Sequence, residues 1–295
     1  MFKVTFLGSS ASLPSPRHHP SCFAVTCGGV YLFDACEGIQ RQMMKYGAGY
    51  GSLKAVFLSH LHADHFLGLP GLVQTLNMAA RTEPLLVFGP KGTRKFVNDL
   101  LTLPHLRASF PVEVRDCEEG ECLRTELFAV RCFPVEHGCP ALGYAIEEPE
   151  KTRFHEEKAK KLGLQGRMFA EITEKGKLKV KNKTIKLADV TYRQAGKKIV
   201  YSGDTAPCPA LSKAAEGADL LVHDSCFSRA DAALAKEKKH ATASDAAELA
   251  CKAKVKKLAL THFSNRYENR APLLEEARRI FKDSLAVEEG VTLAV

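Results

Sequence analysis

The sequence predicts a mixed α/β fold in which β-sheets are covered by helices on their outer faces. Two observations carry this reading. Short β-branched and aromatic runs recur along both halves of the chain with turn signals between them. Helical patterns fall between some of those runs, as expected where sheets are flanked by helices. The chain has 295 residues, 45% of them hydrophobic, enough for one large core or two small ones.

Strands are expected at 3–7, 22–27, 30–34, 55–59, 85–88, 128–133 and 142–147, then at 199–202, 219–223, 257–261 and 291–295. Helices are expected near 38–46, 67–80, 92–102, 207–216, 243–253 and 271–282. Apolar runs such as Ala55–Leu58 and Leu220–Val222 are short. None reaches the ~18 apolar residues of a membrane span. The chain opens on the strand-like Phe2–Leu7, without a basic segment followed by an apolar one. No signal peptide is therefore expected, and a cytoplasmic location is. The ten cysteines include no C-x-x-C pair of the structural zinc type, so reduced, partly buried thiols are expected. Cys139 is the cysteine nearest in sequence to a candidate ligand, His137.

Residues 151–198 read differently. They hold 15 Lys+Arg against 5 Asp+Glu, whereas the whole chain has a net charge of +8. The basic excess is therefore confined to this segment. A charged helical piece, Arg153 to Leu164, and a Gly163–Gly166 turn lead into an alternating ribbon with Lys175, Lys177, Lys179, Lys181 and Lys183. Lysine alternating with Leu, Val and Ile describes a strand with one cationic face. Edge protection needs only one or two lysines. The segment is expected to be a basic arm, inserted at 148–198 into a single domain spanning 1–295, whose lysines contact nucleic acid.

The segment that decides the chemistry is Phe57-Leu-Ser-His60-Leu-His62-Ala-Asp64-His65. An apolar strand delivers three histidines and one aspartate into a short loop, and Asp64 and His65 enter the helix that follows. Imidazole and carboxylate are suited to zinc, and less selectively to manganese or iron. Four such groups are too few for two metals and too many for one open catalytic zinc. Further ligands are expected at the ends of other strands, where His137, Asp204 and His262 stand.

This pattern of His60, His62, Asp64, His65, His137, Asp204 and His262 resembles the metallo-β-lactamase superfamily. Further runs are similar to the ribonuclease Z (tRNA 3′ endonuclease) family: FLGSSA at 6–11, LFDACEGIQRQ at 32–42, GLPG at 68–71, YSGDT at 201–205, HAT at 240–242 and THFSNRY at 261–267. The resemblance covers nearly the whole chain, arm included. It departs at His18-His19, where many members carry Arg-Asn, at Gly166-Arg167, where Gly-Pro is usual, and at Asp224, where Glu is commoner.

The resemblance implies the αββα sandwich of the metallo-β-lactamase fold, two central sheets flanked by helices with a protruding basic arm. It implies two Zn2+ per chain, with Mn2+ or Fe2+ as substitutes. His60, His62 and His137 would hold one metal and Asp64, His65 and His262 the other, with Asp204 bridging. Asp64 would also orient the nucleophile. The leaving 3′-oxygen needs a proton, and His240, held by Asp224, is the candidate acid. The implied activity is hydrolytic removal of the 3′ trailer of precursor tRNA, leaving a tRNA 3′-hydroxyl and a 5′-phosphate on the trailer. Members are usually homodimers, one subunit's arm holding RNA for the other's site. The alternative is a hydrolase of the same fold acting on another phosphodiester or ester, since one metal set serves several chemistries.

Overall fold

The strand-forming runs assemble into two seven-stranded sheets, the first built from residues 3–116 with the C-terminal strand 292–294, the second from residues 120–147 with 198–286. The computed structural model describes residues 1–13, 15–180 and 183–295. These form two units, Met1–Glu147 with Lys197–Val295, and Glu148–Gly196.

In the larger unit, the first sheet runs in the order Thr292–Ala294, Lys3–Gly8, Cys22–Thr26, Val30–Phe33, Leu53–Phe57, Leu85–Gly89 and Val112–Asp116. The second runs Ser284–Ala286, Leu258–Thr261, Leu220–Asp224, Lys198–Tyr201, Leu142–Glu147, Ala129–Pro134 and Gly120–Arg124. Each strand alternates its side chains between two faces, so each sheet offers two apolar surfaces. The inner surfaces meet in one core that includes Phe23, Phe33, Phe57, Phe88, Tyr144 and Tyr201. The outer surface of the first sheet packs on the helices Ile39–Lys45, Gly68–Met78 and Thr93–Leu101. That of the second packs on Pro209–Ala214, Ala243–Lys252 and Ala271–Ile280. The order helix, sheet, sheet, helix is the expected αββα sandwich.

A ladder of phenylalanines fixes the register of the first sheet. Phe23, Phe33, Phe57 and Phe88 lie on four neighbouring strands and stack with centroid separations of 5.0, 4.8 and 5.0 Å. From the second sheet, Tyr201 meets Phe23 edge-on at 5.1 Å and Tyr144 meets Phe57 at 5.4 Å. Edge-to-face contacts leave the phenol hydroxyls free to reach the polar end of the sandwich.

Several elements were not anticipated. Val112–Asp116, Gly120–Arg124 and Ser284–Ala286 are strands at sheet edges, and the first two carry charged, exposed residues that blur their alternation. The helix Ala232–Lys238 was missed as well. Among the described residues, no helix is long and apolar enough to cross a membrane.

The smaller unit has its own core of Ala159, Leu164, Ile172, Val180, Ile185 and Val190. The expected helix from Arg153 is corrected. Lys151–Phe154 is a strand paired with Thr191–Gln194, and the helix is Glu156–Lys161. The ribbon also begins later than expected. Lys175 ends the helix Met168–Lys175 and pairs with Glu171 at 2.7 Å, and Gly176, with φ 68°, stops the helix. Lys177–Val180 and Lys183–Lys186 then form an antiparallel hairpin, with Lys177, Lys179 and Lys183 exposed. Lys181 lies outside the described residues.

One ion cluster of the larger unit gives a pH-dependent expectation. Asp219 accepts from Lys198 N at 3.0 Å, Lys197 Nζ at 3.0 Å and Lys256 Nζ at 2.8 Å. Burial pushes its carboxyl up, but these donors outweigh burial and hold it below the usual aspartate range. A depressed folded value means stabilisation that is present above the unfolded pKa and lost as pH falls through the folded one. Asp219→Asn is therefore expected to cost about 1 kcal/mol at neutral pH. Urea melts should show that difference closing below about pH 4.

Candidate metal centre

The candidate ligands stand beyond strands that end at one edge of the sandwich. His60 and His62 follow Leu53–Phe57, and His62 precedes the short helix Ala63–Phe66 that carries Asp64 and His65. His137 follows Ala129–Pro134, Asp204 follows Lys198–Tyr201, and His262 follows Leu258–Thr261. In the second sheet these three strands run the same way, through the antiparallel Leu142–Glu147 in one case and the parallel Leu220–Asp224 in the other. Open α/β sheets place their sites at such carboxyl ends.

The side chains converge in two groups. His62 Nδ1 lies 2.9 Å from His60 Nε2 and 3.2 Å from His137 Nε2. Asp64 Oδ2 lies 3.3 Å from His65 Nε2 and 3.6 Å from His262 Nε2. Asp204 Oδ2 faces both groups, at 3.1 Å from His262, 3.4 Å from His65 and 3.8 Å from His60. Ligand atoms of His60, His62, His137 and Cys139 lie within 4.8 Å of one another, as do those of Asp64, His65 and His262. The structure thus adds Cys139 beside the first group.

This donor set fits divalent cations. His65 Nε2, Asp204 Oδ1 and both ring nitrogens of His262 are buried without a hydrogen-bond partner. Such atoms are costly to bury unless something satisfies them, and a cation does so for imidazole nitrogen and carboxylate oxygen alike. The electrostatics agree. Burial and the neighbouring His65 hold His60 well below the usual histidine range. For His65 and His262, burial opposes protonation, but Asp204 outweighs it and raises both well above that range. The cluster attracts positive charge at its centre.

Two buried carboxylates hold the ligands from behind. Asp34, in the left-handed region with φ 57°, accepts from Ser59 N at 2.6 Å, Ser59 Oγ at 2.8 Å and Tyr201 OH at 2.7 Å. It also meets His65 Nδ1 at 2.8 Å. A carboxylate on one ring nitrogen fixes the tautomer and leaves the other nitrogen to ligate. The Lys239 carbonyl does the same for His137 Nδ1 at 3.1 Å. Asp224 meets His240 Nδ1 at 2.7 Å and His262 Nδ1 at 3.7 Å, and accepts from the Thr205 and Cys226 amides. Burial disfavours charge on His240, but Asp224 outweighs it and raises its pKa.

Asp34 was not singled out from the sequence. Its signal was like that of Asp204, an aspartate at the end of an apolar strand. A cavity of about 500 Å³ opens over the cluster, lined by His62, Asp64, His137, Asp204 and His240, with Lys238 and Arg266 among its basic residues. The hairpin lysines belong to the other unit and are not among its lining residues.

Asp34→Ala would strand the Ser59 amide, the Tyr201 hydroxyl and His65 Nδ1 in the interior. It is expected to destabilise the protein by about 3 kcal/mol, as removal of one partner of a buried charged network does. It should also weaken binding of a divalent metal at least about tenfold, as loss of an outer partner of a ligand does. Denaturation with urea and metal titration against a chelator measure the two effects separately.

Comparison with known proteins identifies the family. The beta-lactamase superfamily domain matches residues 30–156 and 161–263. Proteins named ribonuclease Z are 39% identical in Methanosarcina mazei, over 100% of this chain and 98% of theirs, and 39% identical in Ignicoccus hospitalis, over 97% and 96%. The crystal structure of human tRNase Z, short form, superposes with a TM-score of 0.73 at 27% identity, covering 99% of this chain and 98% of that one. The metallo-beta-lactamase fold protein YhfI from Bacillus subtilis gives the same TM-score at 17% identity and speaks for the fold alone. The metallo-β-lactamase fold implies a divalent metal, and with full-length relatives at this identity the chain belongs to the ribonuclease Z family of that superfamily.

Proposed function

We propose that this protein is a cytoplasmic, zinc-dependent endoribonuclease that removes the 3′ trailer of precursor tRNA by hydrolysis. The observation that carries the reading is the cluster of seven histidine and aspartate side chains, four of which (His62, Asp64, His137 and Asp204) line a cavity beside the His240–Asp224 pair. Family membership supplies the substrate, because the same metal set serves other esters in other members of the fold.

The residues divide the work. His60, His62 and His137 would hold one cation, Asp64, His65 and His262 the second, with Asp204 reaching both. When bound, a pair of divalent cations supplies an activated water at neutral pH and Lewis-acid stabilisation of the phosphoryl oxygens. Asp64, on the cavity wall, orients the attacking group. Asp34 and the Lys239 carbonyl keep His65 and His137 in the tautomers that ligation needs. His240 hands a proton to the departing 3′-oxygen, an otherwise very basic leaving group. Asp224 takes the Nδ1–H of His240, so the Nε2 face is the one turned to substrate. The trailer leaves with a 5′-phosphate and the tRNA keeps a 3′-hydroxyl.

The basic segment is assigned to tRNA backbone contact. Lys177, Lys179 and Lys183 are exposed on one hairpin, next to the helix that ends at Lys175, and the ribbon reading includes Lys181. Lysines on phosphates set register and affinity without reading bases. The homodimer implied by the family belongs to this reading, and light scattering should give a dimer mass.

Mapping both ends of the products from a precursor tRNA transcript tests the activity. A trailer with a 5′-phosphate beginning just after the discriminator base is expected. Turnover of a small phosphodiester with an uncut transcript would support the alternative substrate class instead. His240→Ala should lower kcat about 10²–10⁴-fold with little change in KM. Replacing Lys177, Lys179 and Lys183 by Ser should raise KM and shrink the slope of log affinity against log salt by about 2–3. An unchanged slope would remove the hairpin from the RNA interface.

A further inference from the structure

A second cluster of soft donors lies outside the cavity just described. Cys117 follows the last strand of the first sheet, Val112–Asp116. Cys122 lies on the edge strand of the second sheet, Gly120–Arg124, and Cys132 on its neighbour, Ala129–Pro134. Their three sulfurs lie within 4.8 Å of one another. In sequence they are separated by four and nine residues, a spacing with no zinc signature. The fold assembles them where the chain crosses from one sheet to the other.

Local structure brings the three thiols together. The Cys117 amide donates to the Gly89 carbonyl at 2.7 Å, which carries the first sheet's hydrogen bonding one residue past the strand. The pairing of Gly120–Arg124 with Ala129–Pro134 shifts register between Glu121 and Leu123. A β-bulge at Cys122 re-aims its side chain, as bulges do beside functional sites. Cys132 is buried, whereas Cys117 and Cys122 are half-exposed. None of the three lines the cavity of the histidine–aspartate cluster.

We propose that Cys117, Cys122 and Cys132 form a third metal site, a three-thiolate site for a thiophilic zinc-class cation, with its fourth position open to solvent. A tetrahedral zinc with bonds of about 2.3 Å places its sulfurs about 3.8 Å apart. Sulfurs within 4.8 Å of one another are compatible with that spacing. Thiolates select zinc and related soft ions over magnesium or calcium. Binding releases the thiol protons, which now point weakly at the Glu118, Val130 and Arg115 carbonyls at 3.2, 3.3 and 3.8 Å. The ion would fasten the edge of one sheet to the edge of the other.

Cadmium is the probe, because thiolate-to-cadmium charge transfer gives an ultraviolet band that imidazole and carboxylate ligands do not. Cd2+ added to the reduced, zinc-loaded protein should produce the band, saturating at one ion per chain, and should raise the Tm. Cys122→Ser and Cys132→Ser should each lose most of the band, and Cys251→Ser should keep it. Circular dichroism checks that each variant is folded, and Cys117→Ser, at a half-exposed position, replaces any that is not. Absence of the band in the parent protein overturns the proposal. So does a band that survives these substitutions, which would place the cadmium at Cys139 or Cys226 beside the histidines instead.

Discussion

The carboxylate of Asp34 holds the site to the fold. It is fully buried and takes hydrogen bonds from the Ser59 amide and hydroxyl, the Tyr201 hydroxyl and the His65 ring. Tyr201 lies on a strand of the second sheet, and Ser59 and His65 belong to the histidine segment that follows Leu53–Phe57. The loop has little regular structure of its own, so its position is set by this charge and by the Tyr144 hydroxyl on the Leu58 carbonyl at 2.7 Å. Tyr144 and Tyr201 are also the rings that meet the phenylalanine ladder edge-on. Packing in the core and the aim of the ligands are therefore one problem. A shift of the sheets relative to each other would move the hydroxyls and release the loop.

Around that anchor the site concentrates groups that do not suit one another without a cation. Imidazole nitrogens approach within 2.9 and 3.2 Å, and one oxygen of Asp204 faces three rings. The outer ring nitrogens of His65 and His137 are satisfied by protein, which leaves the inner ones for a metal. Asp224 stands behind both His240 and His262. The proposed acid and one proposed ligand thus share a single buried carboxylate, and the charge of each is felt by the other.

The smaller unit follows a different design. Its apolar core is small, and its surface carries most of the chain's excess positive charge. Short strands and helices suffice to present lysines in a regular array. Long-range attraction to a polyanion needs charge density more than shape, whereas the cavity needs ångström-scale placement.

The sheets with outer helices, the histidine–aspartate loop and the strand-end His137, Asp204 and His262 were legible in the sequence. Each has a local cause: apolar alternation makes a strand, and a polar residue directly after such a strand has few places to go but its end. The basic segment was legible by composition, but its helix Met168–Lys175 was not read, and only its last residue, Lys175, was taken into the ribbon. Edge strands such as Gly120–Arg124 were hidden because exposure on one side weakens the apolar signal. What only tertiary structure decided was which distant residues meet. Asp34 behind His65, Asp224 behind His262 as well as the His240 it was expected to hold, and the three thiols of Cys117, Cys122 and Cys132 depend on sheet order, parallel register and a bulge. Those are long-range properties with no local period to announce them.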